Sequence, residues 1–240
     1  MEKAYLNWSG GKDAALALYY IQHKKEFKID RLVTCIDTLL EEVSMHGVPV
    51  NLIKAQAASI GMEISTIQLP EMPDMAAYES IQRAALSSLS QQQFTHSIFG
   101  DIFLEDLRLY REQLLHDFEI TAVFPLWKKN TSMLMSTFLK LGFKAIVVCV
   151  NEQLLGKEFC GRIIDAQFVK DLPQHVDVCG ENGEYHSFVF DGPIFKTPVS
   201  FTKADLFYKE MKAPQNLSDS PDLNLDKPLK NYGFWFCKLY

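Results

Sequence analysis

The chain has no excess of basic residues. Its 240 residues carry 24 Lys and Arg against 30 Asp and Glu, a net charge of −6, with an isoelectric point near 5.5. A broad nucleic-acid surface, which needs a basic stripe, is not expected. No apolar run approaches 18 residues, so no membrane span is expected. Met1-Glu2-Lys3 passes straight into an apolar segment without the regions of a leader, and the expectation is a soluble, cytoplasmic protein. No C-x-x-C pair exists. The five cysteines, Cys35, Cys149, Cys160, Cys179 and Cys237, are odd in number and widely spaced. They fit free thiols in a reducing compartment, not a zinc ribbon or a redox dithiol. Position 2 is Glu, so the N-terminal cysteine nucleophile of some glutamine-hydrolysing domains is missing. A nitrogen donor, if one is used, is free ammonia or comes from a separate subunit. Internal repeats and low-complexity tracts are also missing. Hydrophobic residues make up 48% of the chain, enough for one large domain or two small ones.

Two common phosphate-binding patterns are absent as well. G-x-x-x-x-G-K-[ST] fails because Leu6 occupies the first glycine position and Asp13 follows Lys12. G-x-G-x-x-G fails outright. What is present is Asn7-Trp8-Ser9-Gly10-Gly11-Lys12-Asp13-Ala14, set between the apolar run 4–6 and the helical pattern 14–21. Strand, paired-glycine turn and helix start form an anion-binding geometry: free N–H groups and the helix dipole point at the ligand. Glycines let the backbone approach phosphate oxygens, and Lys12 adds positive charge. Ser9-Gly10-Gly11-Lys12-Asp13-Ala14 resembles the Ser-Gly-Gly-x-Asp-Ser PP-loop of ATP pyrophosphatases, with Ala14 for the closing serine. The plainer alternative is a glycine turn that only caps a helix.

Strand-like and helix-like segments alternate through the first 150 residues. Strands read at 4–8, 32–36, 64–68, 97–99, 121–124 and 145–150, and helices at 13–23, 50–60, 78–89, 104–118 and 131–141. Continuous apolar strands such as 145–150 suggest burial on both faces of a parallel sheet, and the alternation predicts βαβ units. The fold expected is therefore α/β, with an open, mainly parallel sheet and a smaller C-terminal α+β domain. The boundary is placed between residues 1–125 and 126–240, for which the family resemblance given below implies a nucleotide-binding domain and a smaller substrate-binding domain. In the second part, 158–172 reads as a helix and 187–190, 197–201, 205–208 and 234–240 as strands. The polar, proline-containing stretch 213–230 reads as a surface loop.

Further residues carry chemistry. Gly100-Asp101 follows the fourth predicted strand. If that strand neighbours the first, both face one crevice, where Asp13 and Asp101 suit an ATP-bound Mg²⁺; Asp101 as a helix N-cap is nearly as good a reading. His46-Gly47, with Ile36 at the end of the second strand, can shape an adenine pocket, though a helix-entry turn explains the histidine equally. Cys179 to Ser187 joins a tight Asn182-Gly183 turn to Glu181, Glu184, Tyr185 and His186. Acids and an imidazole there can bind Mg²⁺ or orient an amine; a solvated hairpin is the alternative. Trp127 can wall a substrate pocket or sit between domains. Arg108 and Arg111 can meet phosphate or a carboxylate, although pairing with Glu105 or Glu112 is the commoner arrangement.

In this order, Ser9–Ala14, His46-Gly47-Val48, Gly100-Asp101-Ile102, Pro125-Leu126-Trp127, Cys160-Gly161-Arg162, Gly180-Glu181-Asn182-Gly183-Glu184-Tyr185-His186-Ser187 and Asp191-Gly192-Pro193 resemble the diphthine–ammonia ligase family of PP-loop ATPases. The resemblance covers roughly residues 3–200, and Ser187 stands where threonine is usual. It implies ATP and Mg²⁺ as cofactors and an AMP-forming ligation of ammonia to a carboxylate. The substrate implied is diphthine, a modified histidine on elongation factor 2. ATP would be held by Ser9, Gly10, Gly11, Lys12, Asp13, Ala14, Ile36, His46, Gly100 and Asp101. Lys12, Asp13, Glu181, Glu184 and His186 would be catalytic. Trp127, Arg162, Asn182, Gly183 and Tyr185 would meet the substrate. A homodimer is one arrangement that this reading allows. Two alternatives stand beside it: an RNA-modifying PP-loop enzyme, and a nucleotide-binding sensor without chemistry.

Overall fold

A computed structural model describes residues 2–44, 46–71, 73–211 and 232–240. The loop expected at 213–230 lies outside the described residues. In the first half, strands and helices alternate as β1 (Lys3–Asn7), α1 (Lys12–Lys24), β2 (Lys28–Asp37), β3 (Glu42–Val43), α2 (Val50–Ile60), β4 (Glu63–Leu69), α3 (Met75–Gln91), β5 (His96–Ile98), α4 (Glu105–His116) and β6 (Thr121–Val123). Then come α5 (Thr131–Lys140), β7 (Lys144–Asn151), α6 (Ala166–Asp171), β8 (Tyr185–Asp191), β9 (Lys203–Met211) and β10 (Tyr232–Leu239).

β1 pairs in parallel with β2 on one side and β5 on the other, and β5 pairs with β6. β4 pairs in parallel with the other edge of β2. The parallel order is thus β4-β2-β1-β5-β6, and it reverses direction at β1. β3 continues the β1 side of β2 beyond the end of β1, pairing antiparallel at Ile36 and Asp37. Its two residues were too short a signal for the sequence to reveal. Loops after β1 and β5 therefore meet at the carboxyl end of the sheet, where such folds bind ligands.

One element expected in that parallel sheet belongs elsewhere. The apolar run in β7 is buried on both faces, but β7 lies in a second, antiparallel sheet of order β8-β7-β10-β9. Apolar periodicity reports burial and is silent about strand direction. The helix expected over 158–172 is broken. Gly161, at φ +78°, ends a short 3₁₀ turn, and Ile163 bridges to Ile146 in β7 before the Asp165 side chain caps α6. Residues 197–201 form no strand; Val199 donates its N–H to Phe190 O instead.

Two apolar clusters cover the first sheet. Tyr5, Val33, Leu86, Phe99 and Leu115 pack under α3 and α4. On the other face, a larger cluster runs from Ala4, Leu6 and Trp8 through α1 and α2 into β7, β8 and β10. The two sheets thus share one core.

Gly100 sets how tightly β5 closes on α1. A Cβ there would lie 2.9 Å from both Ala14 N and the Asp13 carbonyl carbon. Gly100→Ala should cost about 1–3 kcal/mol through forced separation of backbone, read as a lower urea midpoint. An unchanged midpoint would show that this contact does not constrain the fold.

Candidate active site

The paired glycines do different work. Gly10 adopts φ +77°, and a Cβ on it would meet Ile53 Cδ1 at 2.5 Å and Gln56 Oε1 at 2.8 Å. Its carbonyl accepts from Val189 N at 2.9 Å and from Gln56 Nε2 at 3.0 Å. Gly11 caps α1 with no side-chain hydrogen bond, which leaves first-turn N–H groups to an anion. Gly11 N reaches Ser9 Oγ at 3.3 Å. Lys12 N donates to Ser187 Oγ at 3.2 Å, so β8 lies directly against the loop.

Lys12 is 5% exposed. Burial is the largest single influence and would lower its affinity for a proton, but Asp13 at 2.7 Å, with Tyr185 and Cys179, together more than offset it and keep the ammonium charged. Its Nζ also lies 5.1 Å from the Tyr185 ring centre. Ala14 is buried.

A cavity of about 990 Å³ opens from this loop. Ser9, Gly11, Lys12, Asp13, Ala14, His46, Gly100 and Asp101 line it from the first half of the chain, and Glu181, Asn182, Gly183, Tyr185, His186 and Ser187 from the second. Glu181 accepts from Ile102 N at 2.7 Å and Phe103 N at 3.3 Å, tying the 180–184 turn to the entry of α4. Burial, with Asp13 adding repulsion, raises its carboxyl to about 7. His186 and His46 lie with ring centres 4.4 Å apart. Burial holds both below the usual imidazole value, His186 well below it, so both are neutral bases near pH 7.

Other predicted residues are placed differently. Glu184 is 2% exposed, and its carboxylate accepts from Asp177 N, Asn182 N and Asn182 Nδ2 at 2.8–3.1 Å. It braces the turn and is not among the residues that line the cavity. Asp101 does not cap α4, whose N-cap is Leu104. Its carboxylate pairs with Arg111 at 2.9 Å; burial raises its proton affinity, opposed by Arg111. Arg111 therefore points inward, and only Arg108 pairs with Glu112, at 2.7 Å. Trp127 packs on Phe124 and beneath Arg108. Arg162 pairs with Asp171 at 2.7 Å. Ile36 is buried and paired with Val43 and Gln68, while Thr34 and Cys35 beside it line the cavity.

Sequence reasoning missed Gln56, which is fully buried. Its amide joins Trp8 Nε1 (2.8 Å), Gly10 O and Val189 O. The available signal was a polar residue on the apolar face of α2, one turn from Leu52 and Ile53. Gln56→Leu should destabilise the chain by about 1–3 kcal/mol for each polar group left unpaired, measured by urea unfolding. A neutral result would remove the amide from the account of the loop.

The Glu181 carboxyl gives a pH prediction. It ionises at about 7 in the folded chain against an ordinary 4.5, so the folded state binds this proton more tightly than the unfolded state does. Stability should therefore fall as pH rises between those values and then level off. Glu181→Gln should flatten that interval in urea midpoints taken across pH; an unaltered slope would reject the assignment.

Two family models match consecutive stretches: the diphthamide synthase N-terminal domain over residues 1–117 and the diphthamide synthase C-terminal domain over residues 130–217. A diphthine–ammonia ligase from Danio rerio is 26% identical over 108 residues, covering 42% of this chain and 41% of that protein's length. Among solved structures, the U34-tRNA thiolase NcsA from Methanococcus maripaludis, with its [4Fe-4S] cluster, aligns at a TM-score of 0.38 and 17% identity, over 59% of this chain and 57% of that one. With both of its domain models matched in order, the chain belongs to the diphthamide synthase family.

Proposed function

We propose that the chain is an ATP-dependent, AMP-forming ligase that joins ammonia to a carboxylate. The observation that carries this reading is the shared cavity. The glycine loop, Lys12 and Asp13 occupy one wall, and Glu181 and His186 occupy another, at the point where the strand order reverses. On this reading residues 1–125 hold the nucleotide and 126–240 present the substrate. The match to a diphthine–ammonia ligase supports diphthine on elongation factor 2 as the carboxylate.

The β,γ-phosphates of ATP would lie against Ser9–Lys12, with the α1 N-terminus and the Lys12 ammonium holding their charge. A Cβ-free Gly11, whose added Cβ would come 3.1 Å from Ser187 O, leaves the backbone open on that side. Asp13 and Asp101 are the nearest carboxylates for a Mg²⁺ ion, which would offset charge on the leaving pyrophosphate. Each already faces a cation, Lys12 or Arg111, so a metal would have to compete with those pairs for the two carboxylates. A substrate carboxylate oxygen would attack the α-phosphorus, breaking its bond to the bridging oxygen and releasing pyrophosphate. Ammonia would then attack the acyl carbon, AMP would leave, and a proton would pass from nitrogen to a nearby base. Glu181, ionising near neutrality, and neutral His186, with His46 beside it, are bases within the cavity. Glu184 positions the turn that carries Glu181.

Spent nucleotide should be AMP and pyrophosphate, as chromatography can establish; ADP and orthophosphate as main products would reject the mechanism. Gly11→Val should abolish ATP binding by pressing a side chain on Ser187 and into the phosphate path. Retained affinity in a folded variant would remove the loop from the site. His186→Ala should lower kcat with ATP affinity held within several-fold, as expected when an interaction forms mainly in the transition state. Equal losses in ATP binding would place the imidazole at the nucleotide instead.

A further inference from the structure

The second sheet has two edges. One, β8, is occupied by the glycine loop. The other, β9, pairs only with β10 among the described residues. An irregularity in that pairing falls between Lys203 and Leu206, and from Leu206 onward the ladder is regular. The phase of its backbone follows from β10. Glu152 N donates to Gly233 O at 3.1 Å, in register with the β7–β10 pairs. Gly233 and Trp235 therefore turn their peptide groups toward β7, and Phe236 turns its own toward β9. Phe207 lies opposite Phe236 and faces it. Leu206 and Tyr208 consequently present N–H and C=O outward. Their side chains do not hide this edge. Leu206, Phe207 and Tyr208 are 38%, 42% and 43% exposed, on both faces of the strand. Phe207 is backed by Phe236, with ring centres 5.4 Å apart, and Tyr208 OH donates to Glu152 Oε2 at 2.6 Å. The exposed rings are thus held in place.

An open edge flanked by fixed apolar side chains is a template for another strand, and β9 is complementary to its own reverse. Run antiparallel to a second copy about an axis at Phe207, the strand sets Phe207 against Phe207, Leu206 against Tyr208 and Asp205 against Lys209. Leu206 and Tyr208 are the outward-facing residues, so they form the hydrogen-bonded pairs of such a ladder. Asp205 and Lys209 fall at non-hydrogen-bonded positions, where cross-strand side chains lie closest. Neither makes a hydrogen bond or an ion pair among the described residues, although Lys209 is near enough to Glu42 to oppose the rise in its proton affinity. Sliding the copy by two residues loses both charge pairs, setting Asp205 or Lys209 against Phe207. Sliding it by four opposes Asp205 to Asp205 or Lys209 to Lys209. Charge thereby selects one register. We propose that β9 is a dimerisation strand that pairs antiparallel with β9 of a second copy, joining the two antiparallel sheets into one. Such an interface is isologous, so pairing uses up the edge and stops at two chains.

Reversing one charge at a time tests both the pairing and its register. In sedimentation of the full chain across a dilution series, the mass should rise with concentration from the 27.4 kDa of one chain toward that of two. Asp205→Lys opposes lysine to lysine at both ends of the ladder, and Lys209→Asp opposes aspartate to aspartate. Each alone should weaken association by about tenfold or more. Mixing the two variants should restore it, because each strand then meets the opposite charge, and the double variant Asp205→Lys/Lys209→Asp should dimerise by itself. In the unaltered chain, the outward amides of Leu206 and Tyr208 should exchange with deuterium more slowly as concentration rises. A chain that stays monomeric throughout, leaving β9 to another kind of partner, would overturn the proposal. So would a dimer indifferent to both reversals, amide exchange that ignores concentration, or single variants with the wild-type urea midpoint that dissociate yet do not combine.

Discussion

The Gln56 amide is the junction on which the arrangement of the site depends. It is a neutral group without access to solvent, and every bond it makes reaches a different part of the chain: the Trp8 indole at the end of β1, the Gly10 carbonyl in the loop, and the Val189 carbonyl in β8. A buried amide is tolerated only when its donors and acceptor are met. The same bonds that satisfy it therefore fix the glycine loop against the second sheet. With Val189 N also on Gly10 O, the loop has little freedom to swing away. The second half of the chain is thus part of the cavity wall by construction, whichever residues later touch a ligand.

Charge within the cavity is arranged as close pairs. Lys12 with Asp13, and Arg111 with Asp101, each place a cation beside a carboxylate at under 3 Å. Pairing allows charged side chains to be held out of water, because an unpaired one would neutralise or draw in solvent. Glu181 is different. Its partners are backbone N–H groups, and burial wins over them, leaving a carboxyl that changes state near neutral pH. Burial also raises Asp101 and Glu42, but Glu181 is the one that it brings to about 7.

Much of the parallel half was legible in the sequence, since strand, turn and helix signals there are local. The glycine loop was legible for the same reason: Gly10 and Gly11 sit between an apolar strand and an amphipathic helix. The pairing of Lys12 N with Ser187 Oγ was not, because 175 residues separate them and no local pattern encodes such a contact. Glu184 shows the opposite hazard. An acid beside a tight turn reads as chemistry, and here its carboxylate accepts from Asp177 N and from the backbone and side chain of Asn182, contacts that no local pattern announces. Arg111 was expected to meet phosphate or a carboxylate, or, like Arg108, to pair with a glutamate of its own helix; its partner is the carboxylate of Asp101, which precedes the helix. Direction of pairing in β7 was hidden for a related reason: an apolar run buried on two sides looks the same in either kind of sheet.

β8 is an edge strand of the second sheet, and an open edge is a template for another chain's backbone. Here the glycine loop itself occupies that edge, through Gly10 O on Val189 N and Lys12 N on Ser187 Oγ. The loop is therefore a seal as well as a wall of the cavity. Damage to it would uncover a run of apolar backbone, Phe188-Val189-Phe190, to neighbouring molecules. Selection on this loop would act through solubility in the crowded cell as well as through turnover.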